Sequence, residues 1–211
     1  MYHESIKKDE EEYDNLYGEL PSSKDELIQY LLNMYNLTID DMKKDIESIQ
    51  NIKWATRQFT LFIKPYGTPR PRQKKNGGVY VRGAKKHKKI IEKYVQNENI
   101  IHTRTQFQVC VYSPTPKSVS IRERILFEMG CLRPLTNPDW DNLGKTYSDM
   151  VQGILLMNDN IISDGCVSKF YSIKPRVEIY ISHQEKFDCK YNERKIKKST
   201  LYRKLVEERG T

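Results

Sequence analysis

The chain has 211 residues, 30% of them charged and 37% apolar, with a formal charge of +8, which is enough for one ordinary domain with additions. No apolar run approaches the roughly 18 residues that cross a bilayer, and the acidic start MYHESIKKDEEEYD lacks an apolar signal core, so neither a membrane span nor secretion is expected. Cys110, Cys131, Cys166 and Cys189 lie far apart with no CxxC pair, which argues against a zinc knuckle or disulfide framework and for reduced thiols in the cytoplasm.

Residues 1–50 hold thirteen acidic side chains against five lysines, a net −8 that leaves the rest of the chain at +16. The first 20 residues read as loosely ordered. PSSKDELIQYLLNMYNL follows, with Ser23 and Glu26 in capping-box spacing and Leu27, Tyr30, Leu31 and Met34 on one helical face. LTIDDMKKDIESIQ restarts the pattern, with Thr38 as N-cap and a stripe of Ile39, Met42, Ile46 and Ile49. These two helices predict an appended hairpin, so residues 1–53 form an acidic helical extension. It reads as a solvated hairpin, or as a segment that docks a partner protein or folds over a basic groove.

RQFTLFIKP alternates Phe59, Leu61 and Ile63 with polar neighbours and predicts a strand ended by Pro65. YGTPRPRQKKNGG is a basic loop, VYVR a short strand, and GAKKHKKIIEKYVQNE an amphipathic helix with Ile90, Ile91, Tyr94 and Val95 inward. TQFQVCVYS predicts another strand and PTPKSVSIRERILFEMG a loop and helix. A helix from about Asn142 to Gln152 follows, then GCVSKFYSI and RVEIYIS as a closing pair of strands joined at Lys174-Pro175. The pattern predicts an α+β domain over 54–184, a mixed sheet of about five strands packed with helices. Residues 185–211 read as a basic tail.

Twelve Lys or Arg and one acid lie between Arg57 and Lys93, a density that implies a polyanionic partner such as nucleic acid. Within this basic chain stands NPDWDNLGKTYSDM. Asp139 and Asp141 are two apart and project to one side of an extended backbone, as a hard divalent cation requires. Lys145 and Asp149 continue the stripe at helical spacing, and LLMNDN places Asp159 just past the helix. The structural reading is an N-cap with a surface ion-pair ladder; spacing alone leaves it and metal binding open. The basic context favours metal, because phosphodiester hydrolysis needs a cation at the phosphate and Lys or Arg to bring a polyanion up to carboxylates. Trp140 is expected to point into the core, with base stacking as the alternative.

NPDWDNLGKTYSDMVQGILLMNDNII resembles the signature of the RusA family of Holliday junction resolvases, PDxDNxxK with a further aspartate four residues on. IKPYGTPRPR with Tyr80 resembles the family's early proline- and arginine-rich segment, PTPKSVSIRERI its PxSxxxxxR stretch, and SKFYSIKPRVEIYI its closing strands, so the likeness runs over residues 56–183. Asn158 stands where many members have a second acid. The resemblance implies that Asp139, Asp141 and Asp159 are the metal-binding catalytic carboxylates, with Mg²⁺ as the ion and Mn²⁺ as a substitute. It implies that Lys145 is the essential lysine at the scissile phosphate. It further implies a homodimer cutting a four-way junction symmetrically and leaving 5′-phosphate and 3′-hydroxyl ends, a function at home in phage recombination. Arg70, Arg72, Lys74, Lys75 and Arg82 read as phosphate contacts; Lys169 reads as another, or as an edge-strand lysine. The competing readings are a branched-DNA-binding protein that does not cut, and a nuclease for flaps, forks or duplex.

Overall fold

The computed structural model describes residues 2–67, 72–73, 79–80, 84–95 and 99–209. The chain forms two compact units, residues 1–51 and 52–211, and none of its described helices is long and apolar enough to cross a membrane.

The first unit is three helices. α1 (Tyr2–Tyr17) occupies the segment expected to be loose: its Glu, Lys and Leu residues are strong helix formers, and Tyr13 and Tyr17, one turn apart, bring their rings to 5.2 Å. α2 (Lys24–Met34) starts where the Ser23 hydroxyl accepts the Glu26 amide at 3.2 Å. α3 (Ile39–Gln50) starts in a complete capping box, the Asp41 carboxylate accepting the Thr38 amide at 2.8 Å. The expected apolar faces are largely exposed: Tyr30, Leu31, Met34, Ile39, Ile46 and Ile49 all lie at the surface, while Leu32, outside the expected stripe, is the buried residue.

In the second unit β1 (Trp54–Leu61) enters the main sheet, and β2 (Arg72–Gln73) with β3 (Val79–Tyr80) forms a separate two-stranded ribbon. α4 (Ala84–Tyr94) turns Ile91 into the core, joined by Val95 just past its end, whereas Tyr94, expected inside, is exposed. β4 (Thr105–Pro114) alternates buried Thr105, Phe107 and Val109 with exposed Gln106 and Gln108, the period of a strand with one covered face. α5 (Ile121–Glu128) begins in a Ser120–Glu123 capping box, and α6 (Trp140–Val151) carries the acidic motif. β5 (Ile162–Ser172) and β6 (Arg176–Gln184) follow, then α7 (Lys190–Lys198) and α8 (Thr200–Arg209).

The sheet has four strands in the order β1-β6-β4-β5. β6 is antiparallel to both neighbours, with Phe59 opposite Ile179 and Val109 opposite Ile179, and β5 runs parallel to β4, with Val109 opposite Val167. The closing strands are therefore no hairpin, because β4 lies between them. Thr115 N–H bonds to the Ser172 carbonyl at 3.2 Å, keeping the ends of β4 and β5 together. β5 is an edge strand.

Leu61, Phe107, Val109, Val111, Val177, Ile179 and Ile181 line one face of the sheet and meet Leu143, Tyr147, Met150 and Val151 of α6. Truncating a core leucine of this kind costs about 2–5 kcal/mol. The basic tail joins this core: Ile196, Leu201, Tyr202 and Leu205 of α7 and α8 pack against it. The four cysteines are free.

Candidate active site

α6 is built to be held on one side only. Leu143, Tyr147, Met150 and Val151 are buried, while Trp140, Asp141, Lys145 and Asp149 are exposed. Gly144 lets the helix sit close on the sheet, since a Cβ there would lie 3.1 Å from Val167 Cγ2. The exposed carboxylates thus stand at the rim of a face pinned to β5.

Asp139 occupies the N-cap position of α6, but its side chain makes no capping hydrogen bond. A capping aspartate is explained by the bond it accepts from the first helical turn; Asp139 lacks that explanation. Nor does the ion-pair ladder of the structural alternative form. Among the described residues, Asp139, Asp141, Lys145 and Asp149 make no side-chain hydrogen bond or ion pair. Three carboxylates and an ammonium are thus presented to solvent, in reach of a ligand and without a partner among the described residues.

The strap before α6 is fixed from β5. The Lys169 ammonium donates to the Thr136 carbonyl at 2.5 Å, the Thr136 and Tyr171 hydroxyls share a bond of 3.1 Å, and Arg133 donates to the Lys169 carbonyl at 3.3 Å. The Arg133 guanidinium also lies 3.7 Å over the Phe170 ring, which stacks on Tyr112 at 4.6 Å. The strap then passes through a cis Asn137–Pro138 bond into Asp139.

A second strap meets it. The Tyr66 amide donates to the Tyr147 hydroxyl at 3.1 Å, and burial pushes the Tyr147 phenol up to about 12. It is therefore a neutral hydroxyl throughout the physiological range. A Cβ on Gly67 would lie 2.6 Å from Pro138 Cβ and 3.1 Å from Asn142 Nδ2, a separation no side chain tolerates. Gly67, which precedes the basic segment in sequence, thus packs against the entry to α6. Sequence reasoning passes over both Gly67 and Tyr147 as functional residues. The signal for Gly67 is a glycine between the core-anchored Tyr66 and a basic run; the signal for Tyr147 is a phenol on an otherwise aliphatic helix face.

Asp159 arrives by a different route. Met157 N–H bonds to the Ile101 carbonyl and Ile101 N–H to the Leu155 carbonyl, both at 2.8 Å, so buried Leu155, Leu156 and Met157 hold the loop after α6. Asp159 opens a 3-10 turn, Asp159–Ile161, capped by the Asn158 side chain, and is exposed there.

The structure does not gather the three aspartates. Among the described residues no three His, Cys, Asp or Glu stand close enough to hold a metal ion. Their chemistry nonetheless suits a hard divalent cation, being all-oxygen, exposed and, among the described residues, unclaimed by protein cations. Arg70, Lys74, Lys75 and Arg82 lie outside the described residues, and Arg72 falls in β2. Trp140 is 59% exposed, not in the core. It lines a groove of about 260 Å³ with Asp141 and Lys145, against Ile162, Cys166 and Val167 of β5.

A family model described as Endodeoxyribonuclease RusA matches residues 63–182, spanning both straps, α6, the Asp159 turn, β4, β5 and most of β6. The chain belongs to the RusA endodeoxyribonuclease family. This RusA-family chain is also similar to "Uncharacterized protein YqaN" of Bacillus subtilis (strain 168), 38% identical over 134 residues, 59% of this chain and 94% of that protein. At the level of the family it is a Holliday-junction-resolving endonuclease.

Proposed function

We propose that the chain is a divalent-metal-dependent endodeoxyribonuclease that resolves four-way DNA junctions by paired symmetric cuts, leaving 5′-phosphate and 3′-hydroxyl ends, and works as a homodimer in which each subunit supplies one site. The carrying observation is the trio at the start of α6 that has no partner among the described residues: Asp139 without a capping bond, and Asp141 and Lys145 without an ion pair. Asp139, Asp141 and Asp159 would hold the ion, Mg²⁺ or in its place Mn²⁺. A bound cation supplies charge neutralisation at phosphorus and an acidified water.

The other roles belong to the chain. Lys145 contacts a non-bridging oxygen of the scissile phosphate and offsets charge that grows in the transition state. The basic segment after Gly67, with Arg70, Arg72, Lys74, Lys75 and Arg82, grips the neighbouring phosphates. Two copies related by a twofold axis match the symmetry of a four-way junction, so two equivalent strands are cut.

A second reading rests on the separated carboxylates: a protein that grips branched DNA without cutting it. A panel of four-way, three-way, flap and linear substrates, with Mg²⁺ and with chelator, decides between them. The four-way junction is cut in Mg²⁺ alone, and Asp141→Asn slows cutting by at least about 100-fold while holding the junction as tightly as before. Full-rate cutting by that variant would remove Asp141 from the site. Saturable junction binding with no cutting in either divalent ion would establish the second reading.

A further inference from the structure

An indole is among the side chains least suited to water, since its large apolar face gains most from cover. Trp140 is nevertheless 59% exposed. It stands between the two carboxylates in sequence, as the first residue of α6, and shares its groove with Asp141 and Lys145. The rest of the lining is mostly small or aliphatic, with Gly144 of α6 and Ile162 and Val167 of β5, and Phe107 of β4 is its one other ring. No aromatic ring within the described residues stacks on the indole.

We propose that Trp140 is a stacking platform for one unstacked nucleobase beside the scissile phosphate, and that this contact selects branched over continuous duplex DNA. The inference rests on the nuclease reading for the position of the phosphate. Lys145 draws a phosphodiester to this helix end beside the carboxylates, and the nucleotide attached to that phosphate then lies within reach of the indole. In continuous duplex its base is stacked between neighbours and turned away from the protein. At a branch point stacking is interrupted and the base can be displaced onto a ring at small cost. Aromatic platforms accept any base, because every base has a π face, so the contact reports structure and not sequence. The groove lies against the open edge strand, which leaves one side accessible to the incoming nucleotide.

The test uses the fact that the chain has two tryptophans. Trp54→Phe in the full-length protein leaves Trp140 as the sole indole emitter, and the protein is titrated in chelator with a fluorophore-labelled four-way junction and with a linear duplex of the same arms. Anisotropy of the label reports binding and tryptophan emission reports stacking. We expect emission to be quenched as the junction saturates and to stay unchanged when duplex saturates. Junction saturation without quenching overturns the proposal. In Mg²⁺, Trp140→Ala is expected to cut the junction about 10-fold or more slowly at an unchanged melting temperature, with Trp140→Phe within about 3-fold of the parent. If Trp140→Ala instead shifts the oligomeric state and quenching follows protein concentration without DNA, the indole is a subunit contact and the proposal falls. The two readings separate cleanly: quenching by a junction that is never cut leaves the platform standing and removes the nuclease, and cutting without quenching does the reverse.

Discussion

The Lys169 ammonium gives one hydrogen to the Thr136 carbonyl at 2.5 Å, three residues before Asp139, and has two more to offer. Its charge suggested a phosphate contact, whereas its bond fixes the strap that carries the first aspartate. The two roles differ in what they do to salt dependence. If the ammonium grips a phosphate, Lys169→Met lowers the slope of log affinity against log salt by about 0.9 for duplex arms. If it anchors the strap, the same substitution leaves that slope intact and lowers the cutting rate at saturating junction, by about 10-fold for a reacting group displaced on the scale of an ångström. We expect the second result; a smaller slope with an unchanged saturated rate would restore Lys169 to the residues that hold DNA. The charge was legible in the sequence, but the bond was not, because Thr136 and Lys169 meet only when β5 docks beside the strap. Trp140 was misplaced for a related reason. Counting tryptophan as apolar assigns it to the core, yet the helix turns Leu143 and Tyr147 inward and leaves position 140 outside that stripe.

At the scale of elements, periodicity read most of the fold correctly where a single face is buried. β4 alternates as expected, and α6 presents the expected apolar stripe, with the carboxylates opposite. Pairing was less legible: β5 and β6 are adjacent in sequence, so a hairpin was the simpler expectation, but β4 separates them and β5 is parallel to it. The helix extension misled through composition, since Ile39, Ile46 and Ile49 keep helical spacing while lying at the surface. The meeting of the two straps is a feature of this same kind, invisible to periodicity. Gly67 and Pro138 are 71 residues apart and nearly touch, and Tyr147 holds the Tyr66 amide from below. Gly67→Ala must shift the backbone at residue 67 away from the α6 entry, because a Cβ at 2.6 Å from a proline carbon cannot be accommodated without movement. Junction cutting is expected to fall by about 10-fold or more with the core, read by far-ultraviolet dichroism, intact. Tyr147→Phe removes the acceptor alone and is expected to cost about 1 kcal/mol of stability by denaturant titration. If Gly67→Ala cuts at the parental rate, the straps are not coupled in function.

The whole molecule carries its charge unevenly: −8 over residues 1–50 and +16 over the remainder, while the compact units divide at residue 51. Net charge sets the long-range force on an approaching polyanion, whatever the arrangement of the two units. Removing residues 1–51 doubles the formal charge from +8 to +16 and leaves a unit with its own sheet and hydrophobic core. The shortened chain is therefore expected to bind linear duplex more tightly than the full chain at low ionic strength. The gain should come mainly from faster association, measured by stopped-flow anisotropy, because distant charges steer encounters more than they hold complexes. It should shrink as salt shortens the Debye length to about 10 Å near 0.1 M. A branched substrate should gain less, since interactions made only at a branch, such as an unstacked base on Trp140, do not depend on net charge. The acidic extension would then sharpen discrimination by weakening the interaction common to all DNA. Equal duplex association rates for the two chains at low salt would show that the negative charge of residues 1–50 is not felt by DNA at all.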